Sequence, residues 1–279
     1  MKKTINKYLP KVIGIRLNTL HLVKPQKAVK KAFYLFCTPR RGKVKPEQED
    51  FLNGAKAKVI TAEGIKLQTY HWQGSGKTIL LIHGWESNTY RWKVLIEKLQ
   101  AENYNIYAFD APAHGYSEGN YIHVPLYTKC VEKIVQAYNP EIVIGHSIGG
   151  MTTVFHQHQF PNQNIKKLVL LGPPSELTSI MEDYQQILNL KPRVMKGLEN
   201  KFYDQLGFKF EEFSIAKFAK EVKQPTLVIH DKYDKVAPVE ASKSIQQNLQ
   251  QSEFIETEGA GHSLNNDYIY SAIIQFLKK

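Results

Sequence analysis

The chain of 279 residues is poor in cysteine, with only Cys37 and Cys130. Two cysteines are too few for the disulfide framework of a small secreted domain, and no Cys-x-x-Cys or Cys/His cluster indicates a zinc site. A chain of this length can bury a large core without such cross-links. We therefore expect no bound metal and a reducing, cytoplasmic location.

A long apolar run is also missing. The longest stretch without charged residues, residues 142–165, contains histidines, amides and a proline, and is too polar for a membrane span. Near the N-terminus, two short apolar stretches are interrupted by Arg16 and ended by Lys24, so the apolar segment of a signal peptide does not follow the basic start. The sequence predicts neither a membrane span nor a secretion signal.

Acidic residues are absent from residues 1–45, which contain 13 lysines and arginines. The remaining residues contain 24 basic and 26 acidic side chains, so the net charge of +11 belongs to a basic N-terminal arm on a near-neutral body. A protein that binds nucleic acid with its whole surface would carry the charge on the folded body. We therefore expect no nucleic-acid partner.

Apolar runs alternate with segments of helical periodicity along the body. This alternation predicts an α/β fold with a mostly parallel sheet flanked by helices, preceded by a hairpin that turns at Glu63 and Gly64. The predicted strands cover residues 57–61, 65–72, 78–83, 104–110, 141–145, 167–171, 226–230 and 254–257. The predicted helices cover residues 91–102, 127–138, 148–159, 239–249 and 267–278.

One interval breaks this rhythm. About 54 residues between Leu171 and Thr226 contain no strand-like run and are rich in helix formers and large apolar side chains. A plain crossover needs far fewer residues, so a helical insertion that covers one end of the sheet is favoured. The predicted domains are an arm of residues 1–54, partly helical, a core of residues 55–172 and 223–279, and a cap of residues 173–222.

The strongest chemical motif is Gly145-His146-Ser147-Ile148-Gly149, which fits Gly-x-Ser-x-Gly. It lies where a predicted strand meets a predicted helix, the context of a nucleophile elbow. A tight turn there exposes the Ser147 hydroxyl above the sheet, at a helix N-terminus that stabilises negative charge. Ser147 is therefore the candidate nucleophile.

A serine nucleophile needs a base and an acid that orients the base. His262 lies in a glycine-rich loop between the last predicted strand and the closing helix, and it is the candidate base. Asp231 and Asp234 both follow the preceding strand. We favour Asp234, because Asp231 ends the strand directly and is better placed to shape the turn.

Two backbone amides should bind the developing oxyanion. The amide of Ile148 follows the nucleophile directly, and the amide of Trp85 lies in the His83-Gly84-Trp85 loop after a buried strand. Gly84 allows the backbone to approach the substrate carbonyl closely. Trp85 and Ile148 are therefore the predicted oxyanion-hole donors.

Together these motifs resemble the α/β-hydrolase superfamily, in its capped serine-hydrolase branch of esterases and lipases. The resemblance covers roughly residues 55–279 and includes the segment from Phe109 to Ser117. In that segment the family usually has glycine where Ala113 stands. The basic arm lies outside the common family core.

The resemblance implies a serine hydrolase that cleaves an ester of a small or medium-sized, apolar acyl substrate through an acyl-enzyme. The alternatives are C–C bond hydrolysis or acyl transfer with the same triad, or a non-enzymatic protein recruited by its arm. No cofactor is expected. The segment Gly74-Ser75-Gly76-Lys77-Thr78 ends like a P-loop, but His71 replaces the first glycine and a strand follows instead of a helix.

The arm contains a candidate amphipathic helix that begins at Pro25. One face carries apolar residues, and Lys24, Lys27, Lys30 and Lys31 occupy the others. Such a helix can lie on an anionic membrane at its inner surface, through residues 1–45, or pack its apolar face on the hydrolase body. Packing is favoured. The apolar face consists of Ala28, Val29, Ala32, Phe33 and Phe36.

Overall fold

The structure is a computed structural model that describes residues 2–279, with side chains described from residue 8 onward. The chain forms two compact units. A helical unit comprises Met1–Thr38 and Glu176–Ser214, and a sheet unit comprises Pro39–Ser175 and Ile215–Lys279. Residues 39–54, assigned to the arm from sequence, fall in the sheet unit, and the rest of the arm shares a unit with most of the predicted insertion.

The sheet unit contains an eight-stranded sheet with the strand order β1-β2-β4-β3-β5-β6-β7-β8. Strands β3 to β8 run parallel, and β2 pairs antiparallel with both β1 and β4. This arrangement confirms the predicted mostly parallel sheet. The strands are β1 Lys56–Ala62, β2 Ile65–Trp72, β3 Thr78–Ile82, β4 Asn105–Phe109, β5 Ile142–His146, β6 Lys167–Leu171, β7 Thr226–Asp231 and β8 Ser252–Thr257.

Helices of the sheet unit flank this sheet. Each presents an apolar face to the core, as in α4, where Leu95, Ile96 and Leu99 are fully buried. A 3₁₀ turn at Thr89–Trp92 leads into α4. The helices are α3 Pro46–Asn53, α4 Lys93–Ala101, α5 Val124–Tyr138, α6 Ile148–Gln159, α9 Ile215–Ala219, α10 Val239–Asn248 and α11 Asp267–Lys278.

The central strands β3, β5, β6 and β7 are buried along almost their whole length. Their sequences are continuous apolar runs because both faces of a parallel sheet are covered by helices. All of these strands end at the same edge of the sheet, since they run in one direction. The residues predicted for the active site follow β3, β5, β7 and the neighbouring parallel strand β8 at this edge.

Four helices form the helical unit: α1 Lys2–Val23, α2 Pro25–Cys37, α7 Leu177–Leu188 and α8 Pro192–Leu206. The apolar face of α2 packs against α7 and α8, with the Phe33 and Phe202 rings 5.2 Å apart and the Tyr184 hydroxyl donating to the Ala32 carbonyl at 2.9 Å. Lys24, Lys27, Lys30 and Lys31 are exposed. The amphipathic helix predicted in the arm therefore packs on the insertion.

Candidate active site

Ser147 lies in the tight turn between β5 and α6. Its backbone has φ 54° and ψ −123°, a conformation that costs a non-glycine residue about 1–3 kcal/mol. The turn is held by the Ser147 amide, which donates to the Leu171 carbonyl at 2.8 Å. This strained turn lifts the Ser147 hydroxyl above the end of the sheet, as the nucleophile-elbow motif predicts.

Both glycines of the motif are required by close packing. A Cβ atom at Gly145 would lie 2.5 Å from both the Gly149 carbonyl oxygen and Thr153 Oγ1. A Cβ atom at Gly149 would overlap the Ile82 carbonyl of β3. Because any side chain at either position would displace backbone, α6 can begin this close to the sheet only with glycine there.

His262 joins the predicted nucleophile to the predicted acid. Its Nε2 atom is 3.0 Å from Ser147 Oγ, and its Nδ1 atom is 2.7 Å from Asp234 Oδ2. A carboxylate can only accept hydrogen bonds, so His262 donates one from Nδ1 to Asp234. The lone pair of Nε2 therefore faces the serine hydroxyl. The structure thus brings together three residues that are 28 and 115 positions apart along the chain.

The Asp234 carboxylate is buried and anchored on its other side. Its Oδ1 atom accepts hydrogen bonds from the amides of Val236, at 2.7 Å, and Ala237, at 3.2 Å. These bonds leave Oδ2 directed at His262. The Val-Ala-Pro segment that follows Asp234 therefore orients the carboxylate as well as starting α10.

Asp231 has a different set of partners, from its own turn, the end of β8 and the His262 loop. Its carboxylate accepts hydrogen bonds from the Ala260 amide at 2.7 Å, the Tyr233 amide at 3.0 Å and the Thr257 hydroxyl at 3.1 Å. Burial raises the pKa of Asp231, but these bonds and one from Gly261 outweigh it and lower the pKa. Asp231 shapes the turn and fixes the base of the His262 loop.

Two more side chains hold this loop in place. The Arg91 guanidinium donates to the Ser263 carbonyl at 2.9 Å, and His146 donates from Nε2 to the His262 carbonyl at 2.8 Å. Arg91 cannot be recognised as a site residue from the sequence, because nothing local relates it to a loop 172 positions away. His146 was identifiable only as the neighbour of Ser147 in the motif.

His146 is locked as the neutral ring that carries its proton on Nε2. Its Nδ1 atom is buried without a hydrogen-bond partner, and a Cβ atom at Gly84 would lie 2.8 Å from it. Burial, followed by the charge of Arg91, holds the pKa of His146 well below its usual range. The imidazole of His146 therefore stays uncharged beside Ser147 and His262.

The loop after β3 also reaches the site. A Cβ atom at Gly84 would lie 3.0 Å from Ser147 Cβ, so the backbone that leads to Trp85 passes directly beside Ser147. Trp85 is half-buried, with its ring 5.9 Å from the His114 ring. The predicted donors Trp85 and Ile148 thus belong to the two chain segments that flank Ser147.

The segment after β4 supports this loop. His114 donates from Nδ1 to the Pro112 carbonyl at 2.9 Å, and its Nε2 accepts from the Glu86 amide at 3.0 Å. Ala113, where the family usually has glycine, has φ 67° in the left-handed region. Glycine adopts that conformation without steric cost, which explains the family preference.

Comparison with known proteins gives the same architecture. A family model for the alpha/beta hydrolase fold matches residues 77–208, and a second, described as TAP-like protein, matches residues 211–279. The chain belongs to the α/β-hydrolase superfamily. The two matches together span the strand after the hairpin, the elbow, the insertion and the loops of Asp234 and His262.

Relatives of this α/β-hydrolase have hydrolase names. The AB hydrolase superfamily protein YisY of Bacillus subtilis is 22% identical over 248 residues, 73% of this chain and 92% of the relative. The pimeloyl-[acyl-carrier protein] methyl ester esterase of Proteus mirabilis is 29% identical over 150 residues, 51% of this chain and 54% of the relative. The chain is therefore a hydrolase with esterase relatives.

A solved structure with the same fold is an esterase from Exiguobacterium antarcticum. It superposes with a TM-score of 0.64 at 18% identity and covers 80% of this chain and 100% of the esterase chain. At 18% identity, this similarity shows that the two proteins share a fold and nothing about a shared substrate.

Proposed function

We propose that this α/β-hydrolase is a serine esterase that cleaves a carboxylic ester of a small or medium-sized, apolar acyl compound through an acyl-enzyme. The observation that carries the proposal is the position of His262, within hydrogen-bond distance of both Ser147 Oγ and Asp234 Oδ2. An isolated serine hydroxyl is a weak nucleophile, and such an arrangement activates it. The ester-cleaving relatives support the choice of bond.

The first half of the reaction forms the acyl-enzyme. Ser147 Oγ attacks the ester carbonyl while its proton moves to His262 Nε2, and Asp234 stabilises the imidazolium through the Nδ1 hydrogen bond. The amides of Trp85 and Ile148 bind the oxyanion. His262 then gives the proton to the departing alkoxide, and the alcohol leaves.

The second half returns the free enzyme. Water attacks the acyl carbonyl as His262 Nε2 takes a proton from it, and the same amides bind the second oxyanion. Ser147 leaves with the proton from His262, and the carboxylic acid is released.

The test of this proposal is a panel of p-nitrophenyl esters of graded acyl length with the full chain. We expect turnover that His262→Ala abolishes, with the highest kcat/KM at one range of acyl length. Absence of turnover on every ester, with hydrolysis of a vinylogous 1,5-diketone instead, would assign the triad to C–C bond cleavage.

Replacement of each aspartate by asparagine should separate their roles. Asp234→Asn removes the charge that stabilises the imidazolium and lets the ring adopt the wrong tautomer, so kcat should fall by roughly 10⁴-fold. Asp231→Asn is the matched control, and it should lower the melting temperature while kcat stays within about tenfold of wild type. If Asp231→Asn instead caused the larger loss of kcat, the assignment of the acid would be wrong.

His146 should act as a positioning residue for His262. His146→Leu removes the donor to the His262 carbonyl, and we expect kcat to fall roughly tenfold with KM unchanged, because the base is displaced from Ser147. His146→Gln places an amide N–H near the position of Nε2 and should restore part of kcat. Equal kcat for the leucine and glutamine variants would show that the hydrogen bond has no positioning role.

A further inference from the structure

Helix α1 packs within the helical unit through one face only. Gly14 contacts the Leu188 carbonyl so closely that a Cβ atom would overlap it, and Leu17 is buried. Asn18 donates to the Asn189 carbonyl at 2.9 Å and accepts from the Lys191 amide at 2.9 Å. These contacts fix which side of α1 faces the protein.

The opposite side of α1 exposes an apolar stripe of four side chains. The exposed fractions are 55% for Tyr8, 43% for Val12, 62% for Ile15 and 63% for Leu22. Thr19, which is also exposed, lies between Ile15 and Leu22 on this side of the helix. At 100° per residue these positions span about 80° of the helix circumference. The solvent side of a surface helix is normally polar, so an apolar stripe there indicates a binding surface.

Positive charge surrounds this stripe. From the helical geometry, Lys11 and Arg16 border it on opposite sides, and both are exposed. Exposed lysines of α2 lie in the same unit, and residues 1–45 contain no acidic side chain. The partner must therefore combine an apolar interior with an anionic surface.

An anionic lipid bilayer has both properties. A second copy of α1 would cover the stripe but would bring like charges together, and a nucleic acid would pair with the charges but leave the stripe in water. Among the described residues, none of the helices is long and apolar enough to cross a membrane. An amphipathic helix of this kind lies in the plane of the interface instead.

We propose that α1 lies in the interface of an anionic membrane. Tyr8, Val12, Ile15 and Leu22 enter the boundary between headgroups and acyl chains, and Lys11 and Arg16 contact lipid phosphates. The apolar face of α2 is buried within the helical unit, so α2 cannot insert into the membrane. Its exposed lysines contribute only positive charge. The surface that binds the membrane is thus α1, and not the helix at Pro25 that sequence periodicity indicates.

Co-sedimentation of the full chain with vesicles tests this proposal. We expect binding to vesicles of phosphatidylcholine with phosphatidylglycerol, weaker binding to phosphatidylcholine alone, and weakening by salt. Ile15→Gln should weaken binding about tenfold by removing apolar area, and Lys11→Gln about fivefold by removing one charge near the surface. Both side chains are exposed, so circular dichroism and melting temperature should be unchanged.

Matched controls lie in the sheet unit. Val59, which is 51% exposed in β1, and Lys133, which is exposed in α5, should tolerate replacement by glutamine without loss of vesicle binding. Two results would contradict the proposal that α1 inserts into the membrane interface: equal vesicle binding by Ile15→Gln and wild type, or failure of wild type to bind either kind of vesicle.

A dimer in solution that Ile15→Gln dissociates would show instead that the stripe mediates self-association. Since binding does not need turnover, Ser147→Ala should bind like wild type.

Discussion

Ser147→Ala should reduce kcat by a factor of roughly 10⁴ to 10⁶ and abolish labelling by a fluorophosphonate probe. The variant has no nucleophile for His262 to activate, and only the oxyanion donors and substrate binding would contribute to the remaining rate. Alanine also fits the site, because it keeps the Cβ atom of the serine and lacks only the hydroxyl group. The measurement is the rate of ester hydrolysis together with covalent labelling followed by mass spectrometry.

The matched control for this variant is Ser179→Ala, at an exposed serine on α7 in the helical unit. It should keep both labelling and turnover. The melting temperature of Ser147→Ala should stay close to that of wild type, because the variant loses the hydrogen bond between the serine hydroxyl and His262 but keeps the backbone bond to the Leu171 carbonyl. If the probe still labelled Ser147→Ala, or did not label wild type, the proposed nucleophile would be wrong.

The second large effect is a loss of stability in mild acid, caused by histidines that are neutral when folded. His83 is fully buried, donates from Nδ1 to the Gly84 carbonyl at 2.8 Å and accepts at Nε2 from the Ala111 amide at 2.9 Å. Burial, followed by the charge of His114, holds the pKa of His83 well below its usual range. His146 is held neutral by burial in the same way.

The sign of the effect follows from the order of protonation. Because both pKa values are lowered by folding, the unfolded chain takes up protons first as the pH falls below about 6.5. The two neutral histidines therefore contribute their full stabilisation above about pH 6.5, and this contribution is lost as the pH falls towards their pKa values in the folded protein. Each histidine contributes up to about 1.4 kcal/mol per pH unit, so these two alone should lower the free energy of unfolding by up to about 4 kcal/mol between pH 7 and pH 5.

Urea unfolding at pH 7, 6 and 5, followed by tryptophan fluorescence, measures this loss. His83→Gln should be less stable than wild type at pH 7 but should lose less stability between pH 7 and pH 5, by up to about 2 kcal/mol, since one titrating group is gone. Two results would contradict the explanation: a free energy of unfolding that stays constant from pH 7 to pH 5, or an unchanged slope in His83→Gln.

Most elements of the sheet unit could be predicted from sequence because their patterns are local. The strands β2 and β6 and the helices α6 and α11 have the predicted bounds. The strands β3 and β7 differ from the prediction by one residue at one end, and β5 differs by one residue at each end. Continuous apolar runs and 3.6-residue periodicity depend only on near neighbours and on burial. Helix α1 was missed because Pro10 and Arg16 interrupt its pattern, and its stability depends on contacts with α7 and the segment that follows it.

The sequence by itself determined the strand-to-helix turn at Ser147, the superfamily and the candidate residues of the site. A motif such as Gly-x-Ser-x-Gly encodes a local backbone conformation, so it can be interpreted without the rest of the chain. Only the tertiary structure decided that Asp234 contacts His262 while Asp231 holds its loop, that Arg91 and His146 anchor this loop, and that α1 exposes an apolar stripe. These facts depend on contacts between residues far apart in the chain. Such contacts form only when the parallel strands bring their loops to one edge of the sheet and when packing decides which face of each helix is buried.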